Sequence, residues 1–309
     1  MGAIIEAVRT VQPRRFGRPG AIDLAARAAR KALKAAGCHP SDVDVVINTG
    51  IYRVENIYEP ALAPFVQEKI GANIPFSPDA KRGIWSFDLA NGSCGFLNAL
   101  QVVDGLVSSG KLRRGLVVTS DVEPFPGVTE GWEFDPVGGA VLLGPGDRDE
   151  GFAAFHFETF AKHSDLFESK MSWIGDGRSR LALRLRTNQA VRLRQDERYA
   201  SWCAKCAAHA LEGFLAQRAL SLEELDLIVP SHSPAGFAEE FARAIDACAE
   251  QLPAVPPGGP NAHTAGPVLA LESVFGSERY ARARNVLLVA AGSGVQVSLA
   301  LYAKNPVSG

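Results

Sequence analysis

The residues best placed for chemistry are a hydroxyl and a thiol, Ser93 and Cys94, in the run Phe87-Asp88-Leu89-Ala90-Asn91-Gly92-Ser93-Cys94-Gly95-Phe96. Apolar residues then recur at 96, 97, 99, 100, 102, 103, 106 and 107, almost all round a 3.6-residue period, and Gly110 stands where a helix would end. This pattern predicts a buried helix with a small, sharply turned N-terminus. A side chain held there meets the positive end of the helix dipole, which stabilises an anion and suits a nucleophile attacking a carbonyl. Taken alone, the same residues read first as an N-cap serine beside a small core cysteine. The chemistry therefore depends on what the rest of the chain brings to them.

The rest of the chain reads as one design used twice. Residues 3–9 form a strand, Pro13 to Gly20 a basic, turn-rich loop, and Ile22 to Ala36 an amphipathic helix closed by Gly37. Ser41-Asp42 then leads into Val43-Asp44-Val45-Val46-Ile47, whose apolar run predicts a strand covered on both faces. The helix from Tyr199 to Leu220, the turn at Ser221-Leu222-Glu223-Glu224 and the strand Leu225-Asp226-Leu227-Ile228-Val229 repeat that unit, with Asp226 offset by 182 from Asp44. The strands Gly115-Leu116-Val117-Val118-Thr119 and Asn285-Val286-Leu287-Leu288-Val289 repeat at an offset of 170, which carries Ser93 onto His263. Two βαβ-type halves would thus present Ser93 and His263 at facing helix N-termini across a pseudo-twofold axis.

Between the halves, Ala140 to Leu143 and Phe152 to Phe160 read as strands. Arg178 to Arg194 reads as a hairpin turning at Thr187-Asn188-Gln189 and carrying six arginines, either a solvated face or a docking strip for a phosphorylated or acidic carrier. Phe125, Trp132, Phe152, Phe155 and Trp173 are candidates for a substrate tunnel or for plain core.

Composition narrows the classes. With 309 residues and 47% hydrophobic residues the chain can build one large domain or two ordinary ones, and a net charge of -2 argues against general affinity for nucleic acid or acidic membranes. No apolar stretch of 18 residues appears, so a soluble cytoplasmic protein without membrane insertion is expected. Five cysteines, at 38, 94, 203, 206 and 248, predict reduced thiols. Cys203 and Cys206 lack a second ligand pair at metal spacing, and no metal is expected.

The segment from Phe87 to Phe96 resembles the active-site segment of the β-ketoacyl-ACP synthase III enzymes, members of the thiolase fold. In them a Phe-Asp pair, small residues, the nucleophilic cysteine, a small residue and Gly-Phe follow in that order. Phe134-Asp135-Pro136-Val137-Gly138-Gly139-Ala140-Val141-Leu142 is similar to the family's F-G-D-G-A-G-A-V-V-L strand, and Ala290-Ala291-Gly292-Ser293-Gly294 to its glycine-rich turn. The resemblance spans almost the whole chain. It implies an α/β thiolase fold of two pseudo-twofold-related βαβαβ halves in a five-layered αβαβα core, divided at 1–150 and 151–309.

Counted from Asp88, the family's nucleophilic cysteine falls on Ser93, with Cys94 as the alternate. The family's histidine, in Pro-His-Gln-Ala-Asn, falls on Ser231 by strict count and on His232 if a bulge shifts the strand end by one residue; we expect His232. The family's asparagine aligns with His263, with Asn261 as the competitor. The remaining histidines, His39, His156, His163 and His209, read as surface or packing residues. The family's N-terminal CoA-holding segment is absent or shortened to Arg9 to Arg18.

The implied activity is acyl transfer. Ser93 would take an acyl group from acyl-CoA or acyl-carrier protein, with the oxyanion held by N–H groups of Ser93 and of Gly292-Ser293-Gly294, and Arg178, Arg180, Arg184 and Arg186 binding the donor. The acyl group would pass to a malonyl thioester, or to an alcohol or amine. No permanently bound cofactor is implied beyond phosphopantetheine-linked substrates, and a homodimer is expected. The alternatives are a catalytically degenerate partner subunit of an active paralogue and an acyl-thioester hydrolase.

Overall fold

Every residue of Val45–Asn48 (β2) and Gly115–Ser120 (β4) is buried, as strands covered on both faces must be. The computed structural model describes residues 2–13, 20–53, 59–74, 83–146, 150–173, 189–248, 250–253 and 259–304. In the first sheet Ala3–Val11 (β1), Gly138–Pro145 (β5), β4, β2 and Trp85–Asp88 (β3) lie in the order β1-β5-β4-β2-β3. Strands β4, β2 and β3 run parallel, and β5 is antiparallel to both of its neighbours. The second sheet repeats the pattern with Gly151–Thr159 (β6), Leu227–Pro230 (β9), Asn285–Gly292 (β10) and Gln296–Ala303 (β11), in the order β6-β11-β10-β9.

Alternation along these strands sorts the core into layers. Val46, Leu116, Val118 and Leu142 face outward onto Ala21–Ala35 (α1) and Leu62–Ile70 (α2). Val45, Ile47, Val117 and Val141 face inward onto Gly95–Ser108 (α3) and Gly266–Val274 (α6), which also receive Leu227, Val229, Val286 and Leu288 of the second sheet. Ile228, Leu287 and Val289 face Tyr199–Arg218 (α4) and Phe237–Ala244 (α5). The result is the five-layered αβαβα sandwich that the resemblance implies.

The repeat is built into hydrogen bonds. Asp44 Oδ2 accepts the N–H groups of Arg113 and Arg114 at 2.7 and 3.0 Å and so pins the start of β4. Asp226 Oδ2 accepts those of Arg284 and Asn285, both at 2.8 Å, and pins β10 in the same way.

At the helix tips the offset is one residue larger than expected. The 3-10 turns ahead of α3 and α6 are Gly92–Cys94 and His263–Ala265, and both begin in the left-handed region, Gly92 at φ +50° and His263 at φ +43°. His263 is therefore the counterpart of Gly92, and Thr264 that of Ser93. The second half has one residue fewer between helix start and following strand, which an offset counted from the strands conceals.

The basic hairpin also differs from expectation. Its strands are Phe167–Trp173 (β7) and Gln189–Gln195 (β8), with Trp173 opposite Gln189, so Gln189 begins a strand instead of closing a turn. Arg178, Arg180, Arg184 and Arg186 lie outside the described residues. Arg192 is exposed and paired with Glu130.

Helix α3 is the centre of the packing, and Leu100 on it is fully buried between the sheets. Replacing Leu100 with alanine is expected to lower stability by about 2–5 kcal/mol, read from the midpoint of denaturant unfolding, without changing secondary structure content.

Candidate active site

The turns that begin α3 and α6 meet in the middle of the molecule, and glycines in both admit close neighbours from their own half. A Cβ on Gly266 would lie 2.8 Å from Ser231 Oγ, and one on Gly95 3.2 Å from Leu89 O. Ser93 is 3% exposed, and its hydroxyl donates to the carbonyl oxygen of His263 at 3.4 Å. The contact between these two residues thus runs through the histidine's backbone and not its ring.

A left-handed conformation costs a histidine about 1–3 kcal/mol, so its surroundings must hold it there. The His263 ring stacks on Phe134 with centroids 4.3 Å apart and planes at 16°, and Tyr52 closes a second side at 5.3 Å. Its Nδ1 lies 2.8 Å from Oδ2 of Asp121, a buried carboxylate at the end of β4. Oδ1 of Asp121 accepts the N–H groups of Ile51 and Tyr52 at 2.8 and 2.7 Å, and Oδ2 also accepts from the N–H and hydroxyl of Thr264. Burial opposes ionisation of Asp121, but the charge and hydrogen bond of His263, with those from Thr264 and Tyr52, hold its carboxyl below the usual range. A carboxylate at Nδ1 fixes the orientation of the ring. Sequence reasoning missed Asp121; the signal was an acid directly continuing the buried strand Leu116-Val117-Val118-Thr119-Ser120.

The glycine-rich turn comes to the same place. A Cβ on Gly292 would stand 3.4 Å from the backbone nitrogen of Ser93, and one on Gly92 3.7 Å from Ser293 Oγ. The Ser93 N–H has no acceptor among the described residues. An N–H at a helix tip facing a glycine turn is the geometry that can receive an oxyanion.

Other candidates fall elsewhere. The ladder continues through Ser231, whose N–H donates to Val289 O at 2.8 Å, so no bulge shifts the strand. Ser231 is fully buried against the start of α6, where its Oγ accepts the N–H of Ser233 at 3.0 Å. His232 instead lines a cavity of about 200 Å³ with Gly259, Pro260, Leu269, Glu272 and Ser273, in whose wall neither Ser93 nor His263 takes part. Strand parity thus places His232 on the opposite side from Ser231, in a cavity apart from Ser93 and His263. Burial lowers the pKa of the His232 ring, and its Nδ1 is buried without a partner.

Asn261 is a latch. Its N–H donates to Asp135 Oδ2 and its Oδ1 accepts the Ser233 hydroxyl, both at 2.9 Å. The Cys94 thiol points away from Ser93's partners, toward the carbonyls of Ala290 and Gln296, and burial pushes its pKa up to about 12. It stays protonated at neutral pH and is a poor alternate nucleophile. Phe125 and Trp132 pack with Tyr52 and Phe134 behind His263, while Phe152 and Phe155 pack in the central layer. They are core, and the Trp173 side chain lies outside the described residues.

Two outcomes follow. Iodoacetamide at pH 8 is expected to alkylate the exposed Cys248 and to spare Cys94 and Cys203 in the native protein, as read by peptide mass spectrometry. Because the folded pKa of Asp121 lies below the unfolded value of about 3.9, its stabilisation is whole above about pH 4 and is lost as pH falls through the folded value. Asp121→Asn is expected to cost about 3–5 kcal/mol at pH 7 and to flatten the acid limb of the stability profile.

No family model matches the chain. Among curated proteins it is 28% identical over 284 residues to a beta-ketoacyl-(acyl-carrier-protein) synthase III of Xylella fastidiosa, covering 88% of this chain and 80% of that one. It is 27% identical over 287 residues to the synthase of the same name from Acidiphilium cryptum, covering 90% and 82%. Among solved structures, 3-oxoacyl-(acyl-carrier-protein) synthase III of Aquifex aeolicus superposes with a TM-score of 0.78 at 17% identity over 98% of this chain and all of that one. A cysteine-to-serine variant of OleA from Xanthomonas campestris, with lauric acid and lauroyl-CoA bound, gives 0.77 at 16% identity over 98% and 99%. With five layers, two related sheets and paired helix tips already in place, these likenesses establish that the chain has the thiolase fold of the ketosynthase III and OleA structures.

Proposed function

We propose that the chain is a cytoplasmic acyltransferase of the ketosynthase III type. In this reading Ser93 attacks the thioester of an acyl-CoA or acyl-carrier protein, and the acyl group then passes to an acceptor, either a malonyl thioester or an alcohol or amine. The observation that carries the reading is the placement of Ser93 at the tip of α3, its N–H against the Gly292 turn and its hydroxyl on a residue whose ring is held by Asp121. The oxyanion rests on the N–H of Ser93 and on the Gly292-Ser293-Gly294 turn. The proton of Ser93 passes to Nε2 of His263 as the hydroxyl leaves the His263 carbonyl, and Asp121 holds the imidazolium that forms. The curated relatives carry the name of an enzyme working on acyl-carrier protein, and the OleA serine variant holds lauroyl-CoA. Both fit a phosphopantetheine-linked donor. Among the described residues no helix is long and apolar enough to cross a membrane.

The degenerate-partner reading has one observation in its favour, the Ser93 hydroxyl resting on a carbonyl with Ser231 where the family has histidine. Intact mass spectrometry after incubation with acetyl-, butyryl- and octanoyl-CoA and the matching carrier-protein thioesters separates the two. An acyl adduct on the wild type that is absent from Ser93→Ala is the expected result, and no adduct with any donor overturns it.

For the homodimer, strand β3 ends its sheet among the described residues and carries Trp85, 58% exposed beside Phe87. Pairing of β3 with its copy would bury that tryptophan. Light scattering is expected to give twice the chain mass, and Trp85→Lys to shift it to the monomer.

A further inference from the structure

We infer that the cavity beside His232 is a binding site for a primary ammonium carried on a small apolar body, the size of a single ring, and that it is distinct from the Ser93 site. Neither Ser93 nor His263 lines its wall, so the inference does not depend on acyl transfer.

The cavity measures about 200 Å³ and lies where α6, the turn after β9 and the loop at Gly259-Pro260 come together. A cavity of about 150 Å³ already admits benzene, so the space suits one substituted ring and no long chain. Leu269, Glu272 and Ser273 stand at i, i+3 and i+4 on one face of α6 and share the wall with His232. Leu269, Pro260 and Gly259 supply its apolar part.

The polar groups that remain offer lone pairs instead of protons. Glu272 Oε2 accepts the N–H and the hydroxyl of Thr10, which ties the carboxylate to β1, while Oε1 receives no hydrogen bond among the described residues. Ser273 donates its one hydroxyl proton to Ala270 O at 2.7 Å, which leaves its oxygen as an acceptor. Proline at 260 has no N–H to give. The Nδ1 atom of His232 is buried without a partner, so Nε2 is the ring nitrogen left to meet a guest.

An acceptor-rich rim on an apolar cavity matches an ammonium, whose three N–H groups need acceptors and whose charge pairs with Glu272. A carboxylate of the same shape would meet a like charge instead. Burial keeps the His232 ring below its ordinary pKa and so uncharged at pH 7.5, where it sets no positive charge against the guest, and Glu239 of α5 adds negative potential beside it.

The test uses the full chain with its histidines carrying carbon-13 at Cε1, the His232 signal being the one lost in His232→Gln. Benzylamine, benzyl alcohol and benzoate, three probes of one shape, are titrated at pH 7.5. Benzylammonium is expected to shift the His232 signal saturably and to bind about tenfold more tightly than benzyl alcohol, and benzoate to leave the signal in place. Glu272→Gln, which keeps an oxygen for Thr10, should bring benzylammonium down to the level of benzyl alcohol. Ser273→Phe should remove the binding of both by filling the rim; Ser273 is exposed, so this result stands even if Glu272→Gln fails to fold. The inference is overturned by benzyl alcohol or benzoate binding as tightly as benzylammonium, by the absence of a saturable shift with any probe, or by undiminished ammonium binding in Ser273→Phe. None of these readouts involves acylation of Ser93.

Discussion

The structure depends on one buried carboxylate. Asp121 ends β4 in the first half of the chain and receives donors from both halves: the backbone of Ile51 and Tyr52 in the first, and His263 with Thr264 in the second. A charge buried this deeply persists only when it is paired and its lone pairs are filled. Those donors therefore fix how the tip of α6 sits against the first sheet. Thr119 extends the arrangement by donating its hydroxyl to that of Thr264 at 2.7 Å, which ties β4 to the same turn twice. The left-handed histidine is held by this network and by Phe134, so local strain and global assembly are balanced at a single place.

The pseudo-twofold design explains why such a place exists. Each half sends the start of a central helix toward the other, and the two turns meet where Ser93 reaches His263, with glycines admitting close neighbours: Leu89 at Gly95, Ser231 at Gly266 and Ser93 at Gly292. Two helix N-termini, each presenting unsatisfied N–H groups, then share one volume. Symmetry alone would make the two tips alike. They are not: the first half places Gly92 at the left-handed position and a serine after it, and the second places His263 there and Thr264 after it. That asymmetry separates the residue that could be acylated from the residue that could accept its proton.

Much of this was legible in the sequence because it is carried by periodicity and repetition. Buried strands read as continuous apolar runs, and the Asp44–Asp226 offset of 182 marks two carboxylates that pin strand starts in the same way. The position of Ser93 at a helix tip followed from the small residues before Phe96. What was not legible depends on parity or on distant partners. Whether Ser231 or His232 faces inward turns on the presence of a bulge, and the hydrogen bond from Ser231 to Val289 that excludes one has no trace in the local sequence. The role of Asp121 needs a partner 142 residues away, and an acid after a strand reads by itself as an ordinary turn residue. The counterpart of Ser93 was misplaced by one because the two halves differ in length between helix and strand.

Three of the departures from the pattern that the resemblance implies are easier to understand together than singly. A thiol ionises readily enough to attack a thioester with modest help, whereas a serine hydroxyl needs a base within the site. If serine replaces cysteine, an imidazole that serves as a hydrogen-bond donor loses its use, and one that serves as an acceptor becomes necessary. An asparagine side chain cannot be that base; a histidine can, provided something fixes its tautomer, and Asp121 stands 2.8 Å from the nitrogen concerned. In the proposed reading the site then has a hydroxyl, an imidazole and a carboxylate, with Ser231 buried against the start of α6. A buried, hydrogen-bonded carboxylate behind His263 is the feature that supports the proposed acyl-transfer reading over the degenerate-partner one.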